Sequence, residues 1–255
     1  MSRLGRLFGR VPTPPPAAPA VPEGTRVYAV GDIHGRGDLL ESLHDKIRQD
    51  AFTAQAPRNV VVYLGDYVDR GPDSAQVIDL LINRPLLGFE HVHLKGNHET
   101  AMLHFLVDAQ AGIDWMSFGG DATLFSYGVR PPQRLAETDG LERAQAELLQ
   151  VVPRSHLAFL TRLQPYHIEN DFFFVHAGIR PGVPFERQTE EDLLWIRGPF
   201  LDSGADFGKI VVHGHTIDEQ PVLRRNRIGI DTGAYTTGKL TCLVIEGAEY
   251  GFLQT

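Results

Sequence analysis

Cysteine is nearly absent from this sequence, which has one among 255 residues, so no disulfide can form within the chain. That residue, Cys242, lies in the apolar segment 240–245, and we interpret it as part of a buried strand rather than as a nucleophile. Long apolar runs are also absent, since none approaches the roughly 20 residues of a membrane span. The N-terminus lacks the continuous apolar stretch of a secretory signal. We therefore expect a cytoplasmic protein without stable membrane insertion.

An excess of basic residues is missing as well. The chain has 24 lysines and arginines against 32 aspartates and glutamates, a formal charge of -8. Because recognition of a nucleic-acid backbone needs a basic face, this balance argues against a nucleic-acid partner. The count omits bound metal ions, so a locally positive site for a phosphate group is compatible with it. Nothing in the composition indicates an oligomeric state.

The first 24 residues differ in composition from the rest. Residues 3–10 mix arginine with leucine and phenylalanine, and residues 12–22 contain six prolines. This composition predicts a disordered basic and Pro-rich tail, with an extended linker rather than packed structure. A weak membrane-surface or partner-binding helix at its start is the alternative. We place the folded domain at residues 25–255, where a hydrophobic content of 42% over the chain is enough for a substantial core.

Short apolar segments alternate with helical patterns from residue 25 onward. Residues 26–30, 59–64 and 91–95 are typical of strands, and the first two are followed by apolar residues at helical spacing. This alternation predicts an α/β (α+β) fold in which helices pack against a sheet. In such sheets the ligand site lies beyond the carboxyl ends of the strands.

The second half of the chain has a different pattern. Residues from about 100 to 165 carry few strand signals, and we predict a mainly helical insertion or cap beside the site. Four strand-like segments follow, at residues 171–175, 209–212, 227–230 and 239–245.

Five short motifs rich in aspartate and histidine stand where predicted strands end. They are GDIHG at 31–35, GDYVDRG at 65–71, GNHE at 96–99, VHAG at 175–178 and HGHT at 213–216. Their oxygen and imidazole nitrogen donors suit divalent metals such as Mn, Fe and Zn. The candidate donors are Asp32, His34, Asp66, Asn97, His176 and His215. The pattern predicts a hydrolase of phosphate esters with two metal ions.

The carboxylate of Asp66 is the candidate ligand that both metal ions would share. Asp66 can bridge two ions with its two oxygens, which holds the ions roughly 3.5 to 4 Å apart as two-metal hydrolysis requires. An isolated Asp-x-His pair such as Asp32 and His34 is more often a helix cap and a loop residue. The four accompanying motifs reverse that preference.

The motifs in this order resemble the calcineurin-like metallophosphoesterases. The resemblance covers residues 26–245 and is closest to the phosphoprotein phosphatase branch, which contains serine/threonine protein phosphatases and symmetrical diadenosine tetraphosphatases. It implies a two-layer β sandwich flanked by helices, and two divalent metal ions, with Mn expected first and Fe or Zn as alternatives. It further implies that Asp32, His34 and Asp66 bind one ion, and that Asp66, Asn97, His176 and His215 bind the other.

The resemblance also implies roles in catalysis. His98 would protonate the leaving oxygen, Asp69 would orient His98, and Arg70 would contact the phosphate oxygens. Arg197 matches a second phosphate-binding arginine in a shorter motif. Without the preceding Gly65-Asp66, a surface ion pair in a turn would be the preferred interpretation of Asp69 and Arg70. Three further residues have no assigned role, namely His213, Asp231 and Tyr235, and for Asp231 a supporting role near the metals and a turn role stay open.

The predicted reaction is hydrolysis of phosphoserine and phosphothreonine in proteins by direct attack of a metal-bridging hydroxide, without a covalent phosphoenzyme. One alternative with the same chemistry is a symmetrical diadenosine tetraphosphate hydrolase acting on this or a related nucleotide. A second is a catalytically silent phosphate-binding protein, although none of the predicted residues is replaced. A nuclease-like phosphodiesterase is less favoured, because Ile217 stands where many such relatives have a further histidine.

Overall fold

Two five-stranded sheets form the centre of the computed structural model, which describes residues 18–132 and 138–255. The first sheet has the order β10-β9-β1-β2-β3, and the second has the order β4-β5-β6-β8-β7. The strands of the first sheet are β1 (Thr25–Val30), β2 (Arg58–Tyr63), β3 (Phe89–His93), β9 (Thr241–Glu246) and β10 (Glu249–Gln254). Those of the second are β4 (Tyr166–Glu169), β5 (Phe172–Val175), β6 (Ile210–His213), β7 (Val222–Leu223) and β8 (Arg227–Gly229).

Helices flank this pair of sheets. In chain order they are α1 (Gly37–Ala54), α2 (Ser74–Asn83), α3 (Asn97–Val107), α4 (Gly112–Ser117), α5 (Gly120–Ser126), α6 (Thr138–Val151), α7 (Arg154–Thr161), α8 (Glu190–Trp195), α9 (Gly198–Leu201) and α10 (Ala234–Thr237). The predicted two-layer arrangement of sheets flanked by helices is confirmed. None of the helices within the described ranges is both long and apolar enough to cross a bilayer.

The strand sequences explain how the layers pack. Successive side chains of a strand point to opposite faces, so Val27 and Ala29 of β1 face the second sheet while Tyr28 and Val30 face the helices. Strands covered on both faces are apolar at nearly every position, as β1 and β2 are. The core between the sheets therefore joins β1, β2 and β9 to β5, β6 and β8.

Parallel pairing determines where the motifs meet. Strands β1, β2 and β3 run parallel in the first sheet, and β5, β6 and β8 run parallel in the second. The carboxyl ends of parallel neighbours lie at one edge of a sheet. All five motifs follow or end such strands, so both sheets contribute to one site.

The predicted tail boundary at residue 24 is wrong for residues 18–24. Val21 is 3% exposed and belongs to the core between the sheets. Its backbone N–H donates to the carbonyl of Gly247 at 2.9 Å, and the N–H of Ala20 donates to Asp171 Oδ2 at 3.0 Å. An apolar side chain and two paired amides outweigh the Pro-rich composition here. The rest of the predicted tail, residues 1–17, lies outside the described residues.

Candidate active site

The backbone is sharply turned at the motif residues. Five of them that are not glycine have a positive φ, which is uncommon for residues with a Cβ and points side chains away from the strand direction. They are His34 (46°), Asp66 (52°), Asp69 (73°), Arg70 (69°) and His215 (62°). Glycines make room for these turns. A Cβ on Gly96 would lie 2.1 Å from Asp66 Oδ1, and one on Gly214 would lie 2.0 Å from Asp32 Oδ1.

Asp66 lies between two groups of histidines. Its Oδ2 is 3.5 Å from His34 Nε2 and 3.7 Å from His98 Nε2. Its Oδ1 is 3.4 Å from His176 Nε2. The Asp66 side chain is 2% exposed, so solvent does not separate these groups. The two oxygens of one carboxylate therefore face two different sets of donors, as the bridging role predicted from the sequence requires.

The Oδ1 side holds atoms that a cation would bring together. His176 Nδ1 bonds the carbonyl of Leu64 at 2.9 Å and must carry the proton, which leaves a lone pair on Nε2. That Nε2 is 2.9 Å from the side-chain oxygen of Asn97, a second acceptor. His215 Nδ1 is 3.0 Å from the same oxygen and 3.2 Å from His176 Nε2. The lone pairs on His176 Nε2 and on the Asn97 oxygen repel each other at this distance unless a cation lies between them.

The Oδ2 side offers a second set of lone pairs. His34 Nδ1 bonds the carbonyl of Val68 at 2.9 Å, so its Nε2 has a free lone pair, and that atom is buried without a partner. Burial lowers the pKa of His34 to about 3 and that of His215 to about 2. Both imidazoles are therefore neutral at pH 7, which is the form that binds metals.

Buried negative charge surrounds these histidines. Asp32 accepts the backbone N–H of His215, at 3.0 Å to Oδ2 and 3.2 Å to Oδ1. Burial and the carboxylates of Asp231 and Asp66 raise the pKa of Asp32 well above its usual range. Asp231 Oδ2 is itself buried without a partner. Such a concentration of carboxylates is costly unless a cation offsets it, so the donor set fits divalent metal ions.

His98 forms a hydrogen-bonded pair with Asp69 beside the Oδ2 side. The distance from His98 Nδ1 to Asp69 Oδ2 is 2.7 Å. Burial alone would lower the pKa of His98, but the carboxylates of Asp66 and Asp69 outweigh it and raise that pKa. Since Nδ1 bonds Asp69, the free nitrogen of the ring is Nε2, which faces Asp66. This geometry suits a proton donor at the centre of the site.

The two predicted arginines lie beside different residues of the site. The Arg70 guanidinium lies 4.9 Å from the centre of the Tyr235 ring, whose edge contacts His34. Arg197 is exposed and donates from Nη1 to Thr216 Oγ1 at 3.1 Å, directly after His215 in the chain. The structure thus brings all the predicted site residues to one place.

Comparison with known proteins identifies the family. A family model described as calcineurin-like phosphoesterase matches residues 25–232. The chain belongs to this family. It is a hydrolase of the metallophosphoesterase family, whose members use divalent metals.

Two kinds of name occur among the curated proteins to which this calcineurin-like phosphoesterase is similar. Serine/threonine-protein phosphatase 2 of Escherichia coli K12 is 27% identical over 227 residues, 84% of this chain and 90% of the relative. A Bacillus cereus protein named bis(5'-nucleosyl)-tetraphosphatase PrpE, asymmetrical, is 22% identical over 233 residues, 84% of this chain and 88% of the relative.

Solved structures share the fold. One described as a putative diadenosine tetraphosphatase has a TM-score of 0.59 at 23% identity, covering 90% of this chain and 93% of that one. A cold-active protein-tyrosine phosphatase of a psychrophilic Shewanella has a TM-score of 0.56 at 18% identity, covering 92% and 83%. At these identities the likeness extends to the fold alone.

Some residues of this phosphoesterase site have no role in the sequence-based prediction. Glu99 is 0% exposed and accepts the backbone N–H groups of Asp66, Tyr67 and Gly96 at 2.7 to 2.9 Å. It thereby holds the turn that aims Asp66. Its place in the first turn of α3 is a signal for a capping glutamate. His213, by contrast, points away and is 3.3 Å from Arg227 Nη1.

Proposed function

We propose that this metallophosphoesterase hydrolyses phosphoserine and phosphothreonine in proteins. One observation carries the proposal: Asp66 lies between two sets of buried lone pairs, and the His98–Asp69 pair stands beside them. In this proposal Asp32, His34 and Asp66 bind one divalent ion. Asp66, Asn97, His176 and His215 bind the other, with Mn preferred. When bound, the ions supply Lewis acidity to the phosphoryl oxygens and acidify a water molecule.

The chain's own residues would then handle the proton and the phosphoryl charge. His98 carries a proton on Nε2 and passes it to the leaving oxygen as the P–O bond breaks, while Nδ1–H stays bonded to Asp69. Arg70 and Arg197 approach from two sides, and their planar guanidinium groups suit the equatorial oxygens of the phosphoryl group. No side chain of the site needs to form a bond to phosphorus.

Dinucleotide hydrolysis is the second candidate function. It is supported by the curated relative named as an asymmetrical tetraphosphatase. The alternative that the sequence favours is the symmetrical reaction, so the products distinguish the two. Symmetrical cleavage of diadenosine tetraphosphate yields two molecules of ADP, whereas asymmetrical cleavage yields ATP and AMP.

A side-by-side rate comparison tests the choice of substrate. We expect the Mn-loaded chain to hydrolyse a phosphothreonine peptide with a kcat/KM about tenfold or more above that for diadenosine tetraphosphate. Phosphate release and nucleotide chromatography give both rates. The reverse ratio would favour the dinucleotide, and the nucleotide products would then identify the cleavage mode.

A catalytically silent phosphate-binding protein is the remaining alternative. It would bind inorganic phosphate but release none from an aryl phosphate, a phosphopeptide or a dinucleotide, and that result would contradict the enzyme proposal. A cytoplasmic location is part of the proposal, in keeping with the single buried cysteine.

A further inference from the structure

The Asp69 carboxylate accepts hydrogen bonds from two side chains that lie outside all five motifs. The indole N–H of Trp115 donates to both carboxylate oxygens, at 3.1 Å to Oδ1 and 2.9 Å to Oδ2. The hydroxyl of Thr123 donates to Oδ1 at 2.6 Å. All three residues are 0% exposed, so water does not compete for these hydrogen bonds. Together with the bond to His98, they give each oxygen of Asp69 more than one donor.

The donor and acceptor in each of these hydrogen bonds follow from the chemistry of the groups. An indole N–H is a donor only. The Thr123 oxygen also lies 2.8 Å from the backbone N of Asp69 and 2.9 Å from Ser74 Oγ. Its single proton goes to Asp69 Oδ1, so it accepts from these other two groups. Asp69 is therefore surrounded by donors. Burial raises the pKa of Asp69, and the hydrogen bonds from His98, Thr123 and Trp115 act against that rise because they favour the carboxylate.

Residues 115–123, which include Trp115 and Thr123, pack closely around the Asp69 turn, and two glycines in this segment leave room for that packing. A Cβ on Gly120 would lie 2.6 Å from the Trp115 ring, and one on Gly119 would lie 2.9 Å from Arg70 Cγ. The carbonyl of Gly119 also accepts the backbone N–H of Arg70 at 3.1 Å. Asp69 and Arg70 both have a left-handed φ, which persists only where neighbours hold it. Residues 115–123 thus pack directly against the turn at Asp69 and Arg70 and stabilise its backbone conformation.

We propose that Trp115 and Thr123 are positioning residues for proton transfer by His98. This inference rests on the proposed phosphoesterase function. Their donated hydrogen bonds keep the Asp69 carboxylate in one orientation and reduce its pull on the His98 Nδ1 proton. The proton that moves is the one on Nε2, which goes to the leaving oxygen while the electron pair of the P–O bond goes to that same oxygen. Asp69 takes up no proton at any stage.

The test separates proton donation from general folding by the choice of leaving group. Thr123→Val removes the hydroxyl at nearly constant volume, and Trp115→Phe removes the indole N–H. We expect kcat on phenyl phosphate to fall about 10- to 100-fold in each, as is usual for partners of site residues. On dinitrophenyl phosphate, whose leaving group departs without a proton, kcat should change less than about threefold. KM should stay constant on both substrates.

Two further variants serve as controls. Thr123→Ser keeps the hydroxyl and should retain most of the activity on phenyl phosphate. Thr161→Val removes an exposed hydroxyl that bonds only within α7, and it should have no effect. Equal losses on the two substrates, or no loss on phenyl phosphate, would overturn the proposal.

A spectroscopic measurement covers the case in which a variant or the wild type shows no turnover. In proton NMR of the full-length chain, the Nδ1–H of His98 should give a low-field resonance that is missing in His98→Asn. We expect that resonance to shift or broaden in Thr123→Val and to be kept in Thr123→Ser. An unchanged resonance in Thr123→Val would overturn the positioning role. A wild-type chain that hydrolyses neither substrate would instead contradict the proposed function.

Discussion

Asp66→Asn is expected to reduce bound Mn from two ions per chain to one or none and to lower kcat/KM by about 10³-fold or more. Asparagine has the shape of aspartate but presents one oxygen and an NH₂ group, so it has no second lone-pair oxygen for a second ion. The two Asp66 oxygens face separate donor sets, at 3.5 Å to His34 and 3.4 Å to His176. Elemental analysis of the purified variant measures the loss directly.

The matched control for this experiment is Asp79→Asn. Asp79 is 59% exposed and bonds His156 at 3.0 Å, so the same chemical change there should leave metal content and activity unaltered. An Asp66→Asn variant that keeps two ions would show that another group bridges them. Loss of activity with full metal content would point to a role for Asp66 in the reaction alone.

His98→Asn is expected to lower kcat by about 10²- to 10⁴-fold, the range typical of a lost general acid, while two metal ions stay bound. The distances alone leave another role open, because His98 Nε2 is 3.7 Å from Asp66 Oδ2 and the ring could join His34 and Asp66 around an ion. The 2.7 Å bond from Nδ1 to Asp69 argues for the acid, since it orients the ring and, together with the Asp66 carboxylate, raises the pKa of His98. Metal content and kcat measured on one sample distinguish these roles.

A comparison of substrates with different leaving groups makes the His98 experiment more specific. The loss should be largest on alkyl phosphates such as phosphothreonine, whose alkoxide needs a proton, and smallest on dinitrophenyl phosphate. A His98→Asn variant with fewer bound ions would mean that His98 is a ligand. Equal losses on all substrates would mean that it does not donate the proton.

The sequence predicts the strands that lie in the middle of the sheets and misses three of the four at the edges. Segments 26–30 and 59–64 are apolar at nearly every position because both of their faces are covered, and the structure places β1 and β2 there. The outer strand β3 is predicted as segment 91–95, but the prediction lacks the other three outer strands, β4, β7 and β10. Such strands are short or half exposed, so their sequences resemble loops.

In the site, too, the sequence predicts some of the residues and misses others. The motif residues can be found from the sequence because strand ends in parallel sheets converge, and the structure brings them together. Their roles as metal ligands stay predictions. Trp115 and Thr123 could not be placed from the sequence. Their contact with Asp69 depends on how α4 and α5 pack onto a distant turn, and helical periodicity carries no information about that packing.

Anomalous scattering at the manganese edge, from crystals of the full-length chain grown with Mn²⁺, tests the central claim most directly. We expect two peaks roughly 3.5 to 4 Å apart, one on each side of the Asp66 carboxylate. The first should lie beside Asp32 and His34, and the second beside Asn97, His176 and His215. A single peak, or two peaks away from Asp66, would contradict the claim.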